Sequence, residues 1–251
     1  MLITRCMLVL ALGLSTKISG TPDFLQTDER AGLANKGSQF CAPTAVSNSL
    51  MWLAAHGAPR LAPDVRDPVA AQIALIRALG SSAYMGTRPD IGTDPQELMT
   101  GVERWLAHCG VQAARFEYQG WRQVPRRWHA SERVDPAALA SVITQVKGAV
   151  WLNVGWYKRS GGAYHRHSGH WVTLVGVEGD DLLVHDPSPR AGRGPSTERV
   201  RMRALDAGTL EGPKGGLPRP ARGYFALQGI RSQPGGQDRV ILDGAVLLLL
   251  R

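Results

Sequence analysis

Hydrophobic positions recur every three or four residues through the first half of the chain and in short apolar runs through the second. Three helices begin with the same pair of residues, Asp67-Pro68, Asp94-Pro95 and Asp135-Pro136. Each pair sets a capping aspartate before a proline at the first helical position. Val69, Ile73, Ile76 and Leu79 share one helical face after the first pair. Leu98, Val102, Trp105 and Leu106 do so after the second, where Glu97 completes a capping box with Asp94. Leu139, Val142, Ile143 and Val146 do so after the third. A fourth helix is predicted from about Pro43 to His56, where Gly57 stops it.

From residue 148 the period changes. Residues 149–157 (AVWLNVGWY) read as a strand, and 158–169 as a glycine-containing loop. Residues 171–177 and 182–185 are apolar runs around Glu178-Gly179-Asp180, a hairpin signal. Residues 187–222, rich in proline, glycine and arginine, are expected to be mostly loop, with one strand near 199–203. Two more strands are predicted over 223–227 and 240–250. Helices thus precede strands. That segregation predicts an α+β protein, a helical lobe over about 30–147 and a sheet lobe over about 148–251, with no internal repeat.

The composition is that of an ordinary globular protein, at 43% hydrophobic and 20% charged residues, and excludes a disordered chain. The net charge of +8 raises nucleic acid as a partner, but the arginines are scattered and no basic cluster is interleaved with aromatics. A solvated basic surface is the reading taken, and no nucleic-acid partner is expected. The N-terminus carries Arg5, the apolar run MLVLALGL over 7–14, and small residues Ser19 and Gly20. This is the layout of a signal peptide over residues 1–20, preceding a single domain over 21–251. The run is too short to span a bilayer, so the expectation is an exported protein, periplasmic or secreted, with no transmembrane segment in the mature chain.

The chemistry concentrates in two blocks. In the first, SQFCAPTA, Pro43 fixes a helix start just after Cys41. The thiol then sits where unpaired N–H groups and the helix dipole favour negative charge, the reactive form of sulfur. A free N–H there can also hold an oxyanion. Cys109 instead follows the end of a helix and is assigned to packing.

The second block is SGHWVTLVGV followed by LLVHDP. Alternation puts His170, Val172 and Leu174 on one face of a strand, and Leu182, Val184 and Asp186 on one face of its return. A tight turn at Glu178 or Gly179 brings Asp186 within roughly two positions of a place opposite His170. Both faces of the hairpin are apolar, so the two polar groups need partners. A carboxylate there can fix the imidazole's tautomer and support its positive charge.

A Cys-x-Pro-Thr helix start, a Gly-His-Trp-Val-x-Leu-Val-Gly strand and a strand ending Asp-Pro, in that order, resemble the papain-like cysteine peptidases of the bacteriocin-leader-processing (double-glycine) type and their stand-alone relatives. The match covers residues 38–53 and 148–188. It implies a papain-like fold with the active site between the two lobes, and a Cys41–His170–Asp186 triad cleaving peptide or protein substrates without a cofactor or metal. The family carries an oxyanion-hole glutamine upstream of its cysteine. Asn35 takes that position here, with Gln39 as second candidate. No transmembrane span and no phosphate-binding loop accompany the motifs, so a leader-peptide substrate is not implied. Trp156, Tyr157 and Tyr164, near the loop before His170, are candidates for the substrate cleft.

Three rivals stand beside this reading. The triad order also serves transglutaminase-like acyl transferases. A non-catalytic exported binding module could bridge Cys41 to Cys109. Finally, His165, His167 and His170 form an H-x-H-x-x-H run with metal-ligand chemistry, though it lies in a loop with no acid or thiol nearby, and no metal is expected there.

Overall fold

The structure, a computed structural model, describes residues 20–189, 196–212, 218–230, 232 and 239–251. The segment read as a signal peptide lies outside the described residues up to position 19. Four α-helices run over Cys41–Ala55 (α1), Pro68–Gly80 (α2), Pro95–His108 (α3) and Pro136–Ile143 (α4). The strands are β1 (Ala113–Gly120), β2 (His129–Ser131), β3 (Gly148–Ser160), β4 (Ala163–Glu178), β5 (Asp181–His185), β6 (Glu198–Ala204), β7 (Thr209–Glu211), β8 (Arg219–Pro220), β9 (Phe225–Gln228) and β10 (Arg239–Leu250).

The helix starts follow their caps. The Asp67 side chain accepts from the Ala70 N–H at 2.6 Å and that of Asp135 from the Ala137 N–H at 2.9 Å. Asp94 and Glu97 form the reciprocal capping box. The last helix is shorter than its apolar spacing suggests: it ends at Ile143, and Val146 is 62% exposed.

The expected two-lobed, papain-like arrangement is corrected. Strands β3, β4, β5, β6, β9 and β10 pair successively, all antiparallel, and β10 pairs with β3 to close a six-stranded barrel. The first half of the chain is not a separate helical lobe either. Its strand β1 pairs antiparallel with the C-terminal β10 over Ala113 to Gly120, and β2 extends the sheet from β1. The physical cause is visible in the strands themselves. Trp171 and Thr173 on one face of β4, and Val172 and Leu174 on the other, are all at most 2% exposed. A sheet apolar on both faces must be covered on both. Closure buries one face inside the barrel, where Val154, Val172, Leu174, Val184 and Leu242 meet Leu139 and Val142 of α4. The helices α1, α2 and α3 cover the other, packing on Trp151, Trp171 and Leu248.

The segment 158–169 is strand rather than loop. β3 continues to Ser160, turns through Gly161-Gly162, both at positive φ, and returns as β4. The polar residues on this extension mislead a reading based on apolar runs.

One buried charge pair links β4 to β10. Register shifts between Leu242 and Gly244, and Asp243 there is fully buried. Its carboxylate accepts from Arg166 Nε at 2.6 Å, Trp121 Nε1 at 3.0 Å and the Tyr157 hydroxyl. A Cβ on Gly155 would lie 2.5 Å from both carboxylate oxygens, so only glycine fits beside it.

Removing one member of such a pair strands the other charge without water. Asp243→Asn is therefore expected to cost about 3–5 kcal/mol in urea denaturation. A loss below about 1 kcal/mol would class the pair with ordinary surface contacts.

Candidate functional site

Cys41 is the first residue of α1 and is 8% exposed. The helix is held against the barrel by polar contacts through its buried face. Thr173 Oγ1 donates to the Ala45 carbonyl at 2.8 Å, and Trp151 Nε1 donates to Ser49 Oγ at 3.1 Å. Asn48 Oδ1 accepts from Gln72 Nε2 at 2.7 Å, tying α2 to α1. The loop before Cys41 is fixed from below. Gln26 Nε2 donates to the carbonyls of Gly37 and Ser38 at 3.0 and 2.8 Å, and the Gln26 N–H donates to the Pro187 carbonyl at 2.8 Å. Gln26 thus joins the approach to Cys41 to the residue after Asp186. Gly37, at φ 76°, has the Gln26 carbonyl where a Cβ would stand, so it must be glycine.

His170 lies on β4, 4% exposed, with Asp186 just past the end of β5 and 2% exposed. Thr173 pairs with His185 and Leu174 with Val184, a register that carries Asp186 back toward His170. Imidazole Nε2–H donates to Asp186 Oδ1 at 2.7 Å, and Ser188 Oγ lies 3.0 Å from the same nitrogen. The Ser188 N–H also donates to Asp186 Oδ1 at 2.8 Å, the turn expected where aspartate accepts from a residue two positions on. With Nε2 so engaged, Nδ1 is the ring nitrogen left for sulfur. Trp156 stacks beside the imidazole, with ring centroids 5.9 Å apart and planes 17° apart.

The charges reinforce this geometry. Burial alone would lower the His170 pKa, but the Asp186 charge and hydrogen bond, with a smaller contribution from adjacent Cys41, push it from 6.5 up to about 10. Burial would likewise raise the Asp186 pKa, yet the His170 charge, its hydrogen bond and the Ser188 N–H hold it well below the usual carboxylate range. The pair is therefore an imidazolium–carboxylate ion pair at neutral pH.

Cys41, His170 and Gln39 stand at the junction of two hollows. One, of about 400 Å³, extends past Asn153, Arg122 and Arg166. The other, of about 290 Å³, extends past Thr27, Trp156 and Ser188. Together they make a groove open on both sides of the sulfur. A larger hollow of about 780 Å³ surrounds Cys109 at the far end of α3, where burial raises the thiol's pKa despite nearby Arg60, the reverse of what a nucleophile needs.

Other expected site residues fall elsewhere. Asn35 is exposed at φ 46° and its Nδ2 donates to the Pro89 carbonyl at 2.9 Å, outside both hollows, whereas Gln39 lines both. Of the aromatic candidates only Trp156 borders the groove. Tyr157 is fully buried with its hydroxyl on Asp243, and Tyr164 packs on Leu210 and Ala221 in a separate small core. Tyr164 is a strand residue because the supposed loop is a ribbon. His165 pairs with Glu211 at 2.9 Å while His170 faces Asp186, and no cluster of three metal-ligating side chains occurs among the described residues. Cys41 and Cys109 are both free thiols. Cys109 borders Pro59 and Arg60 beyond the C-terminal end of α1, about 20 Å along the helix from Cys41, too far for a bridge.

Sequence reasoning did not single out Gln26, Ser188 or Arg122. Ser188 carries a signal, the Asp-Pro-Ser turn; Gln26 carries none, since its role is a contact across 11 residues on one side and with Pro187 on the other.

Comparisons with known proteins find no matching family model, no matching curated protein and no matching solved structure. Among the described residues no helix is long and apolar enough to cross a membrane.

The raised His170 pKa has a consequence for stability. A group whose pKa rises on folding contributes stability that is complete below its unfolded value and is lost as pH climbs through the folded value. The gap in melting temperature between the wild type and His170→Gln should therefore be widest below pH 6.5 and shrink steadily toward pH 10. A gap that stays constant over that window contradicts the ion pair.

Proposed function

We propose that this chain is a thiol hydrolase that cleaves peptide bonds through Cys41, His170 and Asp186. The observation that carries the reading is the buried His170–Asp186 ion pair, turned toward a cysteine at a helix N-terminus inside a groove open on both sides. The helix end and the imidazolium both stabilise negative charge on sulfur. The resemblance to double-glycine peptidases rests on the two motif blocks alone, and export by the segment 1–20 belongs to the same proposal.

In the first step the Cys41 sulfur forms a bond to the substrate carbonyl carbon, and the π pair moves to oxygen. The Cys41 N–H, one of the donors unpaired at a helix start, and the Gln39 amide stabilise that oxyanion. The carbon–nitrogen bond then breaks as His170 passes its Nδ1 proton to the leaving amine, leaving a thioester. Water attacks the thioester and gives a proton back to His170. The carbon–sulfur bond breaks, the acid is released and the ion pair is restored. Asp186 holds the ring throughout and stays ionised. An amine in place of water would make the same enzyme an acyl transferase.

Mass spectrometry after brief exposure to an electrophilic peptide mimic should find Cys41 modified and Cys109 untouched. Cleavage of a peptide library should vanish in Cys41→Ala and fall by about 10²–10⁴ in Asp186→Asn, with correct folding by circular dichroism. Gln39→Ala should lower kcat by about 10²–10³. A wild-type Cys41 no faster than Cys109 toward the mimic would sink the reading. Adding a primary amine separates hydrolysis from transfer, since only a transferase yields the amide adduct.

A further inference from the structure

The hollow on the Asn153 side of Cys41 holds charged groups that the triad does not use. Most are already committed. Arg166 is paired with Asp243, Arg88 with Glu97 at 3.0 Å, and Asp94 caps α3. Arg122 is different. It is half-buried, stands over the Trp121 ring at 5.4 Å, and forms no ion pair among the described residues. Burial, followed by repulsion from Arg166, disfavours its charge, with Asp243 opposing. An unpaired guanidinium held in such a place is poised for an anion. Asn153 supplies an independent observation. It lines the same hollow, is 3% exposed, and its Oδ1 accepts no hydrogen bond among the described residues. A buried acceptor of this kind is matched by an N–H donor. Asp90, the remaining acid of the hollow, is exposed.

We propose that Arg122 and Asn153 form a subsite for a carboxylate-bearing peptide segment, Arg122 taking the carboxylate and Asn153 a backbone N–H, beside the Cys41–His170 pair. The proposal rests on the thiol-hydrolase reading and specifies its substrate class. The planar fork of the guanidinium matches a carboxylate in two-point contact, and a cation with no ion-pair partner among the described residues suits a single negative charge. The carboxylate can belong to an aspartate or glutamate side chain or to a chain terminus.

Alkylation of Cys41 by iodoacetate and iodoacetamide tests the subsite apart from catalysis. Both reagents form the same sulfur–carbon bond and release iodide; only iodoacetate carries a negative charge. The absolute iodoacetamide rate tests the nucleophile. The ratio of the two rates tests the subsite, however slow the reaction. In Arg122→Gln the iodoacetate-to-iodoacetamide ratio should fall about tenfold, and Arg122→Lys should retain most of it. An unchanged ratio in a folded Arg122→Gln protein overturns the proposal. If that variant does not fold, the wild type decides. Peptides carrying glutamate near the cleaved bond should be cut about tenfold faster than their glutamine counterparts, through KM. Equal rates at every position overturn the proposal. Free-acid and amidated peptide termini, compared in the same assay, distinguish a terminal from a side-chain carboxylate.

Discussion

Strand β4 has no face turned to water over its central residues, and the rest of the molecule is arranged around that constraint. Val172 and Leu174 on one side, and Trp171 and Thr173 on the other, all require cover. Curling the sheet into a closed barrel covers the first set with the barrel's own opposite wall and α4. Laying α1 along the outside covers the second. The helix is held there by the hydrogen bonds that Thr173 and Trp151 each donate into it. Its N-terminus therefore comes to the level of His170, three residues before Thr173 on β4. The meeting of sulfur and imidazole follows from how two hydrophobic faces are buried.

The same burial makes ionic groups expensive inside the fold, and the molecule handles each one differently. His170 and Asp186 are kept charged by facing one another, with the Ser188 N–H adding a donor to the carboxylate. Arg166 and Asp243 do the same behind the groove, with Tyr157 and Trp121 filling the remaining acceptor sites. Arg122 lacks that arrangement. Among the described residues it forms no ion pair, and on that the proposed carboxylate subsite rests.

Rigidity on the other side of the groove comes from Gln26. Its amide spans the two residues that lead toward Cys41, and its backbone N–H reaches the carbonyl that follows Asp186. Cys41 and Asp186 are thus referenced to one short segment as well as to the barrel. In the proposed chemistry, such double anchoring holds sulfur and imidazole at fixed separation before substrate binds.

Local chemistry was legible wherever its cause lay within a few residues. The aspartate–proline caps set the starts of α2, α3 and α4, and Pro43 set that of α1. The hairpin turn, together with strand alternation, put Asp186 near His170, and the proline after Asp186 left it at a strand end beside Ser188. The sequence alone therefore placed Cys41 at a helix start and Asp186 within reach of His170, the three residues of the proposed triad, because backbone periodicity and side-chain capping act over one turn or one hairpin. It did not determine the architecture. Separating helices from strands in sequence suggested two lobes, but β1 pairs with β10 across more than a hundred residues and β9 closes onto β10, pairings that only the complete set of apolar faces specifies. Tertiary structure likewise decided that Asn35 turns away to Pro89 while Gln39 faces the groove, that the Tyr157 hydroxyl bonds Asp243, and that Arg122 lines the same hollow as Asn153 with no ion pair among the described residues. Those outcomes depend on which distant surfaces are driven together to exclude water, an energy shared by the whole chain and encoded in no single stretch of it.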